Sequence, residues 1–170
     1  MRCGLVAACV LGAFGSRPEA TRAQPLEAAA REIVTAARFA ALITVDASGA
    51  PQARTVDPLV ADSGWTVFIA TNPRTRKVAE IERDPRVTLY WFDPTIGGYV
   101  TLRGKASALG PKAAAGIWKP EWAPFYPNRA TDLVVYRIDP VRLEVVSPAR
   151  GVLGDSLTWQ PPEIEFRPRR

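Results

Sequence analysis

The sequence predicts a single, mostly antiparallel β-barrel domain decorated by helices, and three observations carry that prediction. At least seven short apolar or alternating runs are separated by clusters of Gly, Pro, Asn, Asp and Ser, the punctuation of meanders and hairpins. Helical periodicity is confined to brief stretches beside them. The length of 170 residues suits one substantial core, since chains of about 150 residues bury roughly 68–70% of their unfolded surface.

Leu26 to Arg38 is predicted helical, because Leu26, Ala29, Ala30, Ile33, Val34 and Ala37 recur at helical spacing. Ala40 to Asp46 and Gln52 to Val60 follow as strands around an Ala-Ser-Gly-Ala-Pro turn, and Trp65 to Ala70 follows the turn Ala61-Asp62-Ser63-Gly64. Thr75 is a candidate N-cap for a short helix burying Val78 and Ile81, and Pro85 stops that helix by pushing Asp84 out of the helical region. Arg86 to Phe92 and Tyr99 to Leu109 form a hairpin, and Pro111 opens an Ala-rich helix to about Trp118. Lys119 to Asn128 is an aromatic, proline-rich loop holding Trp122, Phe125 and Tyr126. The final strand pair is Leu133 to Asp139 and Arg142 to Ser147, with an irregular tail.

Composition removes whole classes of chemistry. The chain has no histidine, its two cysteines are Cys3 and Cys9, and Met1 is its one methionine. Residues 1–23 read as a secretory signal, with Arg2, an uncharged run from Cys3 to Ser16, and Thr21-Arg22-Ala23 as the cleavage site. The run is too short to span a bilayer, so no membrane insertion is expected after its removal, leaving residues 24–170 as one domain. The mature chain would then lack His, Cys and Met, which excludes Ser-His-Asp and Cys-His catalysis, thiol redox chemistry, disulfides and the usual zinc and haem ligands. Hard chemistry would have to come from a bound cofactor, a carboxylate, a lysine or a tyrosine, of which a cofactor is the simplest source. The net charge of +5 falls to +3 once Arg2, Arg17, Arg22 and Glu19 leave, and nucleic acid is not indicated.

Phe68 to Lys77 (FIATNPRTRK) runs from a strand through a turn into a helix start that carries Arg76 and Lys77, while Glu80, Glu82 and Asp84 lie toward the other end. That charge order opposes the helix dipole, at about 0.3–1 kcal/mol per cation. A bound phosphate would reverse the cost, with Thr71, Asn72, Arg76 and Lys77 completing a cradle around the helix N-terminus. The bland alternative is a solvated helix start. Arg54 is open to three readings: an exposed strand charge, an ion pair with Asp57, or a ligand contact. Trp118, Trp122, Phe125 and Tyr126 suit a core or interface as well as a pocket.

Four stretches in order give the chain a family likeness: Ala53 to Val56 (ARTV), Phe68 to Lys77, Asp84 to Trp91 (DPRVTLYW) and Tyr99 to Ala106 (YVTLRGKA). From about Ala36 to Val146 it resembles the pyridoxamine 5′-phosphate oxidase-like family of flavin-binding split β-barrels, in particular the general-stress-protein branch. The resemblance implies FMN, its phosphate held by Arg76 and Lys77 with Thr71 and Asn72 assisting, and its ring lying against Arg54, Thr55 and Val56. It also implies a homodimer with flavin between subunits, where Tyr99 and the Trp118 and Trp122 region reach the ring or the partner's pocket. Tyr99 stands where many members place a glutamine, and the C-terminal Arg-x-His of the vitamin-processing enzymes is missing. Both that activity and histidine-dependent haem degradation are therefore disfavoured.

Three functions follow from this. The first is an FMN-dependent oxidoreductase with a small-molecule electron donor and acceptor. A flavin-binding, stress-related module without efficient turnover is the second, and a deazaflavin-dependent reductase the third. The expected location is periplasmic or secreted if the signal is real, or cytoplasmic if the start is misassigned. Export is awkward because FMN is made in the cytoplasm and no twin-arginine pair is present.

Overall fold

The computed structural model describes residues 19–61 and 64–167, excluding the side chains of residues 19–23. The expected signal therefore falls largely outside the described residues. Eight strands join one antiparallel sheet: β1 (Ala40–Val45), β2 (Pro51–Val56), β3 (Leu59–Val60), β4 (Val67–Thr71), β5 (Arg86–Asp93), β6 (Gly98–Ala108), β7 (Val134–Val146) and β8 (Glu163–Glu165). Among the described residues four helices accompany them: α1 (Glu19–Ala37), α2 (Arg76–Arg83), α3 (Pro111–Ala114) and α4 (Arg129–Asp132). A 3-10 turn covers Pro120–Phe125 and another Pro148–Arg150.

The strand order is β2-β1-β5-β6-β7-β4-β3, with β8 pairing β7. Strands β2 and β3 lie at opposite ends of this path, yet only Asp57 and Pro58 separate them in sequence. Two residues span roughly 7 Å at full extension, so the sheet must curl until its ends meet. The result is a split β-barrel whose seam runs where β2 approaches β4. The candidate cleft lies at that seam.

The curl is permitted by the long central strands. A bulge at Arg103/Gly104 shifts the β6–β7 register, so that Arg103 pairs Arg142 while Gly104 pairs Pro140. Gly104 has no alternative there, because a Cβ would stand 2.6 Å from Ile138 Cγ2 and 2.7 Å from the Asp139 carbonyl oxygen. Inside the curl sit Leu42, Val67, Ile69, Leu89, Trp91, Leu102 and Leu143, all fully buried. Helix α1 packs Ala29, Ala30, Ile33 and Val34 on the same core, the face its sequence spacing predicts.

Four expectations change. Gln52 to Val60 is two strands, broken at Asp57-Pro58, because proline cannot donate to the ladder and the chain crosses the seam there. The last strand pair is one thirteen-residue strand running through Pro140, which is tolerated because the bulge has already interrupted the ladder at that point. The Ala-rich helix stops at Ala114, well short of Trp118, and α1 extends upstream to Glu19, past Pro25.

Candidate functional site

Strand β4 delivers Thr71 to the seam, and the chain turns there into α2. Asn72 Oδ1 accepts from the Arg74 backbone N–H at 2.9 Å, and the Thr75 hydroxyl donates to the Asn72 carbonyl at 2.8 Å. The Asn72 carbonyl oxygens, side-chain and backbone, are thereby taken by the turn. Thr75 occupies the N-cap position but gives the helix no side-chain cap, and the first turn contains no acid. The positive end of α2 is left open toward the seam.

Lys77 reaches back over that end. Its Nζ donates to Thr71 Oγ1 at 2.9 Å and to Thr75 Oγ1 at 3.3 Å, and the two hydroxyls lie 3.1 Å apart. An ammonium has three donors, and among the described residues no carboxylate lies within ion-pair distance of it. Half-burial, then the charges of Arg54 and Arg76, push its pKa below the ordinary lysine value, while Glu80 opposes them. This is a cation held ready without an anion.

Behind it lies a closed polar triangle. Arg54, on the inner face of edge strand β2, donates to Glu80 Oε2 at 2.6 Å and also to the Thr44 hydroxyl, which itself donates to Glu80 Oε2 at 2.5 Å. Arg76 Nε stands 3.6 Å from Glu80 Oε1, with its side chain largely in solvent. Arg54 does not pair with Asp57, because residues three apart on a strand point to opposite faces. Asp57 instead takes Lys119 at 2.5 Å and Arg38 at 3.1 Å.

Between these walls is a cleft of about 270 Å³. Thr55, Val56 and Asp57 line one side, Ala70, Thr71 and Lys77 the other, and Phe39, Trp122, Phe125 and Tyr126 form an aromatic rim. The 3-10 turn at Pro120–Phe125 is stitched to both sides of the seam. The Trp122 indole donates to the Asp57 carbonyl at 2.9 Å and the Tyr126 hydroxyl to the Ala70 carbonyl at 2.8 Å. Trp122 is buried, whereas Phe39 and Phe125 remain 49% and 72% exposed at the mouth.

Of the expected residues, Thr55, Val56, Thr71, Lys77 and Trp122 meet in one cleft, with Arg54 and Arg76 beside it. Tyr99 does not reach it within one chain. It lies on the sheet's outer face with its ring 5.7 Å from that of Tyr90. Sequence reasoning missed Glu80 and Thr44, although an acid four residues after Arg76 on the same helix face is a readable signal. It also missed Phe39. Larger hollows of about 500 Å³ beneath α3, about 390 Å³ beside Phe68 and Arg137, and about 360 Å³ beside Phe166 bring no such cluster of a lysine ammonium and paired hydroxyls together among the described residues.

Residues 26–147 match the family model described as pyridoxamine 5′-phosphate oxidase. No protein of curated function matches the chain in sequence. Among solved structures, the chain is similar to a Clostridium acetobutylicum protein related to general stress protein 26 of B. subtilis, with a TM-score of 0.67 and 16% identity over 84% of this chain and 94% of that one. A pyridoxamine 5′-phosphate oxidase-related, FMN-binding protein from Nostoc punctiforme has a TM-score of 0.56 and 15% identity over 94% and 100% of the two chains. An F420 reductase follows at 0.54 and 17%, covering 67% and 94%. At these identities the structures establish a shared fold, while the sequence match spans most of the chain. The protein therefore belongs to the pyridoxamine 5′-phosphate oxidase family.

Proposed function

We propose that this chain binds FMN and works as a flavin-dependent oxidoreductase between a small-molecule electron donor and acceptor. The observation that carries the reading is Lys77, an ammonium fixed by two threonine hydroxyls beside an uncapped helix N-terminus and, among the described residues, without a carboxylate in ion-pair distance. A phosphate monoester supplies the missing charge and accepts the open donors. The rest of the cleft suits a flat aromatic ring, with Val56 and Trp122 in its walls and Phe39 and Phe125 at its mouth. Bound FMN would supply the electron transfer, and the chain's part is to hold the phosphate with Lys77, Arg76 and Thr71 and seat the ring along β2.

The cleft is slightly smaller than the roughly 300–1,000 Å³ usual for small-molecule sites, which favours completion by a second copy. Tyr90 and Phe92, 37% and 49% exposed, lie with Tyr99 on the outer sheet face. We assign this face to a homodimer in which Tyr99 approaches the partner's flavin. Size-exclusion chromatography with light scattering tests this, and a monomer refutes it.

Purified protein should be yellow, and R76A/K77A should be folded and colourless. Wild type that neither carries nor takes up FMN refutes the proposal. One observation favours the reading of a module without turnover. The cleft's carboxylate, Asp57, is held by Lys119 and Arg38, which depress its pKa against the opposing effect of burial, leaving a poor proton carrier. Reduction of bound FMN by NAD(P)H separates enzyme from module. The fold shared with an F420 reductase favours the deazaflavin reading, which paired titrations with FMN and a deazaflavin decide. Export to the periplasm or beyond is proposed on the N-terminal pattern, and N-terminal sequencing showing intact Met1 overturns it.

A further inference from the structure

Glu80 has no place in a plain phosphate cradle, since it brings a carboxylate among the cations meant to attract an anion. Yet it is 5% exposed and held on both oxygens: Thr44 and Arg54 donate to Oε2, and Arg76 approaches Oε1. Arg54 is equally committed, because both of its terminal nitrogens are taken by Thr44 and Glu80. Arg54, Arg76 and Lys77 against Glu80 leave a net charge of +2. A phosphate monoester carries about −1.5 to −2 at pH 7.

We propose that Glu80 is a positioning residue that turns Arg54 away from the cleft and sets the cradle's charge, so that the site selects a monophosphate dianion over more highly charged phosphates. This rests on the flavin-phosphate reading above. Without the carboxylate, Arg54 is an uncompensated charge free to swing toward the ligand, and the cradle rises to +3. Anions then gain in order of their charge. A neutral ligand gains nothing.

The test is E80Q, which keeps the side chain's size and an acceptor for Arg54 and Thr44 while removing the charge. Full-length flavin-depleted wild type and E80Q are titrated with FMN and with riboflavin, which lacks the phosphate, and FMN is then displaced with inorganic phosphate or pyrophosphate. One extra charge within several ångströms in partly screened surroundings is worth roughly tenfold per unit of ligand charge. In E80Q the preference for FMN over riboflavin should therefore rise about 30- to 100-fold, as the monoester's charge of about −1.5 to −2 requires, riboflavin affinity should stay within about twofold, and pyrophosphate, about one unit more charged, should displace FMN about tenfold better relative to phosphate. R54Q/E80Q, which restores +2, should return the pyrophosphate-to-phosphate ratio to that of wild type. Equal loss of FMN and riboflavin binding in folded E80Q, or unchanged ratios, overturns the proposal and leaves Glu80 a structural residue. Should E80Q fail to fold, E80D carries the test. It keeps the charge, so its ratios should stay within about twofold of wild type, and a tenfold change refutes the idea. Wild type that binds riboflavin and FMN equally instead defeats the phosphate cradle itself.

Discussion

Replacing Lys77 with methionine should move stability and binding in opposite directions. Lys77 is half-buried, its neutral partners are Thr71 and Thr75, and Arg54 and Arg76 repel it. Partly desolvating a cation with hydroxyls alone to solvate it costs on the order of 1 kcal/mol after allowance for solvent screening. K77M keeps the length and apolar stem, and the two threonine hydroxyls still have each other at 3.1 Å. The flavin-free variant should therefore melt roughly 2–4 °C above wild type, the shift expected for about 1 kcal/mol in a domain of this size. A hydrogen bond to a charged group contributes about 1.5–3 kcal/mol, so FMN affinity should fall roughly 10- to 150-fold. Riboflavin affinity should be unchanged. Thermal melts of flavin-free protein together with fluorescence titrations of both ligands read all three quantities. A variant that melts lower than wild type while keeping its preference for FMN would refute the assignment and make Lys77 a structural residue.

Three further outcomes are expected. Burial works to raise the carboxyl of Glu80, but Thr44 and Arg54 outweigh it and hold its pKa below the ordinary 4.5; the resulting stability is complete above that value and is lost as pH falls through the folded pKa, so urea midpoints should decline more steeply on acidification below about pH 4.5 in wild type than in E80Q. G104A should destabilise the barrel by about 1–3 kcal/mol, because its Cβ meets both Ile138 and the backbone of Asp139 at the β6–β7 bulge, and an unchanged urea midpoint would contradict that close approach. K119M removes the 2.5 Å ion pair to Asp57 and should speed proteolytic cleavage near the Pro120–Phe125 turn while shifting the global melting temperature little.

Much of this could be read before any coordinates, and the failures have physical reasons. The hairpin of β5 and β6 and the α2 start were legible because alternation, an N-cap threonine and a stopping proline all agree locally. The expected break between Asp139 and Arg142 does not occur, and only the register at Gly104 shows why Pro140 is accommodated, since the ladder is already broken opposite it. Cleft membership of Thr71 and Lys77 was local in sequence. Contact between Thr44, Arg54 and Glu80 was not, since it joins β1, β2 and α2 through a curl that no window of the chain encodes. The dipole argument for α2 expected an unopposed cluster of cations, and the structure places a buried carboxylate inside it.

The seam gives the site a place in the order of folding. The β1–β2 hairpin and the β4–β7 pairing lie on opposite arms of the sheet path, and Thr55 and Lys77 become neighbours only where the curl brings the two ends of the sheet together across Asp57-Pro58. The cleft is therefore expected to assemble late and to open early in a partial unfolding event. A ligand seated there acts as a clasp on the barrel, slowing the opening that would expose β2 and β4 as bare edges to neighbouring chains. On the proposed reading, holding FMN and resisting aggregation would be served by the same few contacts.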